Sequence, residues 1–194
     1  MNQNSLPPGI VREPRHRHRI FVVDALQHFK FRSTDIIKMG QAKHLGELGE
    51  IALRHISRIG PFCTGIGPIT TGNPLRSADQ NFEIFRAVYL RIIKGGLPGP
   101  RSIFYQLLFE SDIKRIADES YDKEHNADAF YEDLFKYFYG PIMNHEYLEA
   151  VWRMPDWSVS TGARIEHDLL SNRKKVPIFY DAVDHVAEVK DLLV

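Results

Sequence analysis

Residues 147–171 read Y-L-E-A-V-W-R-M-P-D-W-S-V-S-T-G-A-R-I-E-H-D-L-L-S, and this stretch predicts a strand, a loop and a helix in succession. The mostly apolar residues 147–154 form the predicted strand, and residues 155–160 form its exit loop. Ser160 is a favourable N-cap, because its side-chain oxygen can accept a hydrogen bond from a free N–H of the first helical turn. A helix is therefore expected from Thr161 onward.

The predicted helix carries a carboxylate among apolar residues. Positions spaced i, i+3, i+4, i+7 and i+8 share one stripe of a helix, and here they are Gly162, Ile165, Glu166, Leu169 and Leu170. A buried carboxylate costs several kcal/mol unless it is hydrogen-bonded or faces a cavity. Glu166 is therefore either a residue at the edge of the stripe that bends out to water, or a carboxylate that faces a ligand site.

The composition is that of a globular protein without a charge bias. Lys plus Arg and Asp plus Glu number 25 each, so no global field points to a nucleic acid polymer or a membrane. Cys63 is the single cysteine, which excludes a disulfide framework and a Cys-based metal site. No histidine pair has metal-binding helical spacing, and neither a signal peptide nor a run of ~18 apolar residues is seen. We expect a cytoplasmic protein that needs no metal or redox cofactor.

Residues 1–60 are expected to form an N-terminal extension that is partly flexible and then helical. Residues 1–14 contain three prolines and few apolar residues, so they predict a flexible lead-in. The basic run 15–19 is interpreted as a solvated arm, residues 20–26 as a short strand or the start of a helix, and residues 34–58 as helical. Gly60-Pro61 then breaks the chain and marks the start of the main domain, residues 61–194.

The main domain alternates between short apolar segments and helical patterns. Strands are predicted at residues 62–66, 102–108, 147–154 and 176–180, and further helices at 81–94, 111–138 and 183–193. Such alternation is typical of parallel βαβ units with right-handed crossovers. The expected fold is a flavodoxin- or Rossmann-like α/β domain, with an open parallel sheet of four to five strands flanked by helices.

Three of the predicted loops leave the carboxyl ends of strands, where ligands bind in open parallel sheets. Glycines let a ligand approach backbone amides closely, and a helix N-terminus with free N–H groups favours an anion. The unusual residues of these loops are Gly67, Pro68 and Ile69 in the first, Glu110 in the second, and Ser160 and Gly162 in the third. Their convergence predicts one ligand site at this edge of the sheet.

Two of these segments carry a family resemblance. G-P-I-T-T-G at residues 67–72, followed by Asn81-Phe82, resembles the first loop of the nucleoside 2-deoxyribosyltransferase-like proteins. M-P-D-W-S-V-S-T-G-A-R-I-E-H at residues 154–167 resembles their active-site strand, loop and helix. The resemblance covers roughly residues 61–182 and implies that Glu166 is a nucleophile that attacks the anomeric carbon of a nucleoside and expels the base. It also implies a homo-oligomer, a dimer or higher.

The position six residues before the glutamate distinguishes two activities within this family. Transferases that act on free deoxynucleosides tend to carry Asp there, whereas the related 5′-monophosphate N-glycosidases tend to carry a Ser that binds the phosphate. This chain has Ser160. The resemblance therefore implies a 5′-monophosphate substrate, with Gly162 beside the phosphate and with Gly67, Pro68, Ile69 and Asn81 lining the sugar and base.

The chain departs from the family at the group that protonates the leaving base. Family members often place an aspartate on the helix before the active-site strand, and that position falls near residues 143–145, which contain no Asp. Asp133, Asn144, His145 and Glu110 are the possible substitutes. Trp157 is a candidate to stack on the base, and the dense aromatic run at residues 130–139 is expected to pack in the core, at a subunit interface or over the site.

The sequence thus predicts hydrolysis of the N-glycosidic bond of a nucleoside 5′-monophosphate, a small-molecule substrate. Two alternatives stay open. One is a transferase that exchanges bases on free deoxynucleosides. The other is a non-catalytic nucleotide-binding or sensor protein that keeps the pocket without the chemistry, which the absent aspartate favours.

Overall fold

The computed structural model describes residues 15–69, 76–121, 127–173 and 175–185. They form a mixed α/β fold with a small parallel sheet. The predicted flexible lead-in, residues 1–14, lies outside the described residues. The helices are α1 (Arg15–Gln27), α2 (Ser33–Gln41), α3 (Leu45–Ile59), α4 (Ala78–Ile93), α5 (Glu110–Ser120), α6 (Ala127–Leu134), α7 (Gly140–Met143) and α8 (Thr161–Ser171), and the strands are β1 (Phe62–Ile66), β2 (Leu148–Arg153) and β3 (Ile178–Asp181).

The sheet is parallel, with the order β1-β2-β3. On the other side of β1 the chain pairs through a single bridge between Cys63 and Ile103. Cys63 N–H donates to the Ser102 carbonyl at 3.0 Å, and Phe104 N–H donates to the Cys63 carbonyl at 2.9 Å. If this bridge is counted, the segment that follows β1 pairs with one edge of β1, and the chain then crosses over to form β2 on the other edge of β1.

The described residues contain three strands, so the predicted four to five strands are not shown. The apolar segment 102–108 pairs only at Ile103 and then turns into a short 3-10 helix, Gln106–Phe109. The buried side-chain amide oxygen of Gln106 accepts a hydrogen bond from Thr64 Oγ1 at 2.8 Å, which holds this turn against β1. A short apolar run of this kind fits a buried turn as well as a strand, so its pattern alone does not decide between them.

The N-terminal segment is helical from residue 15, so the basic run 15–19, interpreted from the sequence as a solvated arm, forms the start of α1. Residues 20–26 lie in the same helix, which settles the choice between strand and helix. The predicted helical segment 34–58 is two helices, because the chain leaves helical geometry after α2 at Ala42.

Helix α1 is fixed to the rest of the core by aromatic and charged contacts. The Phe29 ring stacks on the Tyr105 ring with centroids 4.0 Å apart. The buried Asp24 carboxylate accepts hydrogen bonds from Arg86 on α4 at 2.5 and 3.2 Å, and from the Tyr105 hydroxyl at 3.1 Å. Apolar residues of α1 to α3 belong to the same buried cluster as those of β1 and β2.

Helix α4 confirms the predicted helix at 81–94, with an earlier start. Ser77 is its N-cap and forms a capping box with Gln80. Its predicted apolar face is buried at Phe82, Phe85, Tyr89 and Ile92. The chain leaves the helix through Gly95, whose φ of 76° is unfavourable for other residues.

The region predicted as helical at 111–138 contains α5 and α6 and then widens into a π-helical segment, Phe135–Tyr139, before α7. Pro141 explains the widening, because it has no N–H to donate to the Tyr137 carbonyl, its partner in a regular α-helix. The freed carbonyl lies against α3, where a Cβ built on Gly49 would be 2.1 Å from it. Gly49 therefore permits a close approach of two helices.

The opening segment folds as predicted. Residues 148–153 form β2, Ser160 is the N-cap of α8, and the Ser160 side chain accepts a hydrogen bond from Ala163 N–H at 3.3 Å. Strand β3 begins two residues later than predicted, and a short 3-10 helix, Ala182–His185, follows it. The remainder of the predicted helix 183–193 lies outside the described residues. In the described part of the chain, no helix combines the length and the hydrophobicity needed to cross a bilayer.

Candidate active site

Glu166 lies at the centre of the buried face of α8. The buried residues of this helix are Ala163, Glu166 and Leu170, whereas Ile165 and Leu169 are 39% and 36% exposed. The buried face of α8 is therefore rotated by part of a turn from the apolar stripe that the sequence predicted. Glu166 lies closer to the centre of the buried face than the sequence indicated. It is 7% exposed, and no residue of the described ranges donates a hydrogen bond to it.

The charge of a second carboxyl group, Glu110, acts on Glu166 and raises its pKa. Glu110 is the first residue of α5, and its Oε1 accepts a hydrogen bond from the Tyr139 hydroxyl at 3.3 Å. Burial raises the pKa of Glu110 to about 7, against a smaller opposing effect of the Tyr139 hydroxyl. Burial, together with repulsion from the Glu110 charge, raises the pKa of Glu166 to about 8.

The two carboxyl groups therefore titrate as a pair. Ionising both at once places two like charges in a site with little water, so near neutral pH the pair holds about one proton. Two carboxyl groups that share one proton can supply a nucleophile and an acid in the same step. The site thus has the groups needed for nucleophilic attack and for protonation of a leaving group.

Two tyrosines border the carboxyl pair. Tyr139 comes from the π-helical segment, and burial together with the Glu110 and Glu166 charges raises its pKa well above the usual value. Tyr89 comes from α4, and burial also raises its pKa. Both phenols stay protonated near neutral pH, so neither acts as a base. Tyr139 donates its hydrogen bond to Glu110, whereas the buried Tyr89 hydroxyl has no hydrogen-bond partner among the described residues.

The N-terminus of α8 lies beside this pair and is arranged to receive an anion. The N–H groups of Thr161 and Gly162 have no intrahelical acceptor, since they are in the first turn. Arg164 adds a cation at the same place, since its guanidinium donates to the Ser158 carbonyl at 2.8 Å and to Thr161 Oγ1 at 3.1 Å. Phe135 covers the inner side, 3.9 Å from a Cβ built on Gly162.

The loop after β1 abuts the loop after β2. Met154 N–H donates to the Ile66 carbonyl at 2.9 Å, and a Cβ on Gly67 would be 2.7 Å from the Met154 Cβ. Pro68 is buried and Ile69 packs against the core. The rest of the predicted first-loop motif, residues 70–75, lies outside the described residues.

The far end of the first loop is tied to the loop after β2 as well. Arg76 forms an ion pair with Asp156, which has a left-handed φ of 58°. Asn81 is buried in the first turn of α4, which follows this loop. Two of the three predicted loops are therefore in direct contact, and the third contributes Glu110.

Trp157 is engaged by its own chain. Its ring stacks on the His167 ring with centroids 4.5 Å apart, and the Arg153 guanidinium lies 5.7 Å from the ring centroid. A nucleobase could stack on Trp157 only at the part of the ring that these contacts leave free.

Three of the four candidate acids have hydrogen bonds that do not involve Glu166. Asn144 donates to the Gly140 carbonyl, and the His145 carbonyl accepts from Arg173, which follows the C-terminal end of α8. Asp133 accepts a hydrogen bond from the Tyr121 hydroxyl at 2.8 Å, at the end of α5 that is remote from Glu110. Glu110 is the candidate whose charge reaches Glu166.

Tyr139 and Arg164 are site residues that sequence reasoning did not assign. Tyr139 was one of many aromatic residues at 130–139, and Gly140-Pro141 was the available signal that the helix changes geometry just before it. Arg164 falls on the outer side of α8, where a charged residue carries no distinguishing pattern.

A groove with a volume of about 270 Å³ is lined by residues of α2 and α3 and by Ala42 between them, and it contains none of the predicted site residues. Comparison with protein-family models, with curated proteins and with solved structures gave no match to this chain.

Proposed function

We propose that this protein hydrolyses the N-glycosidic bond of a nucleoside 5′-monophosphate, with Glu166 as the nucleophile. The observation that carries the proposal is the placement of Glu166, which is buried and receives no hydrogen bond from the described residues. A carboxylate held in this way can form an ester with an anomeric carbon, as in a retaining glycosidase. Water then releases the sugar phosphate and restores the carboxylate.

The sheet supports a ligand at this edge. With the Cys63–Ile103 bridge counted, the order of the parallel segments corresponds to the start of a flavodoxin-like sheet. In such sheets ligands lie where the strand order reverses, which here is at the carboxyl ends of β1 and β2. Gly67, Pro68, Ile69 and Asn81 follow β1, and we assign them to the wall that holds the sugar and base.

The N-terminus of α8 supports a 5′-phosphate. Free N–H groups at Thr161 and Gly162, the helix dipole and the Arg164 guanidinium all favour an anion. Ser160 brings a hydroxyl and no negative charge. Trp157 is assigned to the outer rim of the site, with one part of its ring against His167.

The direct test is release of free base from a panel of ribo- and deoxyribonucleoside 5′-monophosphates, followed by chromatography. The wild-type protein is expected to release base from at least one of them, and Glu166→Gln is expected to release none. Glu149→Gln is the matched control, because Glu149 is an exposed residue of β2. Full activity of Glu166→Gln would refute the assignment.

Ser160→Asp tests the phosphate site. Asp is as good an N-cap as Ser, so the helix is preserved while a negative charge is placed where the phosphate is expected. Cleavage of monophosphates should fall while cleavage of the corresponding nucleosides holds or rises. Equal effects on both would show that no phosphate binds there.

A non-catalytic nucleotide-binding protein is the second candidate, and one observation favours it. The pKa of Glu166 is raised to about 8, so the group is often protonated at neutral pH, which suits a donor of hydrogen bonds better than a nucleophile. Calorimetry distinguishes the two: nucleotide binding without base release by the wild type would favour this candidate. Adding a second free base to the assay detects the transferase, because that enzyme would attach the added base to the sugar.

A further inference from the structure

Arg76 and Asp156 form an ion pair that joins the starts of two helices. Arg76 lies one residue before Ser77, the N-cap of α4, and Ser77 is fixed by its capping box. Asp156 opens the short 3-10 turn Trp157–Val159, which leads into Ser160, the N-cap of α8. The pair therefore connects the first turn of α4 to the chain that enters α8.

The turn that follows Asp156 is held by hydrogen bonds to α8. Val159 N–H donates to the Asp156 carbonyl at 3.1 Å. Arg164 of α8 donates to the Ser158 carbonyl of the same turn at 2.8 Å. A displacement of Asp156 is therefore passed on to the start of α8.

The backbone of Asp156 is strained, and its side chain explains why an aspartate is present. Its φ of 58° and ψ of 26° are left-handed, a conformation that favours glycine and that asparagine and aspartate visit. Glycine would form this turn without the strain. The carboxylate is what glycine lacks, and it pairs with Arg76.

Arg76 in turn depends on this carboxylate. A cation beside a helix N-terminus is unfavourable, because the free N–H groups and the helix dipole are positive there. The side chains of Arg76 and Asp156 are 20% and 33% exposed, and Arg76 Nε is shielded from solvent with no hydrogen-bond acceptor among the described residues. Water screens the pair only in part, so its attraction is stronger than that of an ion pair on an open surface.

We propose that Arg76 and Asp156 are positioning residues that set the distance between the two halves of the substrate site. This inference rests on the proposed function, in which the start of α8 holds the phosphate and the wall near Asn81 of α4 holds the sugar and base. A nucleotide spans both helix starts, so it is placed for reaction only when their separation is correct. Inorganic phosphate occupies one half and does not depend on that separation.

The test measures kcat/KM for the nucleoside monophosphate that the wild type cleaves, and the Ki of inorganic phosphate as a competitor. Asp156→Asn removes the charge and keeps the size and the left-handed backbone. It should lower kcat/KM by about 10-fold, within the range of coupling between contacting residues, and leave the Ki of phosphate within about 2-fold of the wild type. Asp181→Asn is the matched control, because Asp181 pairs with Arg153 at 2.7 and 2.9 Å at the same edge of the sheet, and it should change neither value.

Two further variants show whether Arg76 acts through Asp156. Arg76→Met should lower kcat/KM as much as Asp156→Asn does, and the double variant should lose no more than either single one, because each removes the same contact. Arg76→Lys keeps the charge and should retain more activity than Arg76→Met. A purely structural role would instead weaken nucleotide and phosphate binding together.

The outcomes separate the two claims. Unchanged kcat/KM in Asp156→Asn, equal loss of kcat/KM and of phosphate affinity, or additive losses in the double variant would each overturn the positioning role, while base release by the wild type still supports the proposed function. Absence of base release by the wild type from every nucleotide overturns the proposed function, and the positioning role with it. Asp156→Gly also suits the left-handed backbone and takes the place of Asp156→Asn if that variant does not fold.

Discussion

Replacing Glu166 by Gln should stabilise the protein, and the gain should grow with pH. The pKa of Glu166 is raised from 4.5 to about 8 by burial and by the Glu110 charge. A carboxyl group whose pKa is higher in the folded state opposes folding when it must ionise. Its penalty is absent below pH 4.5, grows as the pH rises, and is complete above about pH 8. The neutral amide of Gln carries no such penalty.

The magnitude follows from proton linkage between the folded and unfolded states. With pKa values of 4.5 unfolded and about 8 folded, the penalty is about 1 kcal/mol at pH 5 and about 4 to 5 kcal/mol at pH 8.5. Because Glu166 is 7% exposed, solvent screening removes little of this. We therefore expect the advantage of Glu166→Gln to increase by about 2 to 4 kcal/mol over this range, allowing for relaxation around the charge.

Urea denaturation at several pH values measures this difference directly. Glu149→Gln, at an exposed position of β2, serves as the control and should show no such trend. In a Glu110→Gln background, the stability advantage of Glu166→Gln should grow less with pH, because Glu110→Gln removes the repelling charge. A constant difference between wild type and Glu166→Gln from pH 5 to pH 8.5 would refute the claim that Glu166 is buried beside a second carboxyl group.

Two further predictions concern the scaffold that holds the site. Gly49→Ala should destabilise the protein by about 3 kcal/mol or more, because its Cβ would lie 2.1 Å from the Tyr137 carbonyl oxygen. Gly40→Ala, in an open part of α2, should instead stabilise the protein by about 0.5 to 1 kcal/mol. Thermal melting of the two variants measures both effects. Arg86→Met should cost about 2 to 4 kcal/mol by urea denaturation, because it leaves the buried Asp24 carboxylate without its cation; a change below 0.5 kcal/mol would show that this ion pair does not hold α1 in place.

The local patterns of the sequence predicted much of the fold, because strong caps and breaks act over a few residues. Ser160 identified the start of α8, and Gly60 identified the end of α3. Residues 102–108 failed as a strand because an apolar run does not show that Gln106 would bond to Thr64 and turn the chain. Such side-chain bonds between distant segments leave no periodic signal.

The candidate site could be predicted in part for the same reason. Glu166 was identifiable because a carboxylate in an apolar stripe is unusual. Its neighbours were not, since Glu110 and Tyr139 come from separate elements and meet only after the π-helical turn forms at Gly140-Pro141. The sequence contained that turn as a Gly-Pro pair in a helical region, and its consequence for Tyr139 required the structure.

The central claim is that Glu166 forms a covalent glycosyl ester. The most direct measurement is mass spectrometry of the protein after incubation with a 2-fluoro-substituted nucleoside 5′-monophosphate, which slows hydrolysis of such an ester. We predict that the sugar phosphate is added to the protein, that the base is released in equal amount, and that the modified peptide carries the adduct on Glu166. An adduct on another residue, or none in a protein that still releases base from nucleotides, would contradict the account.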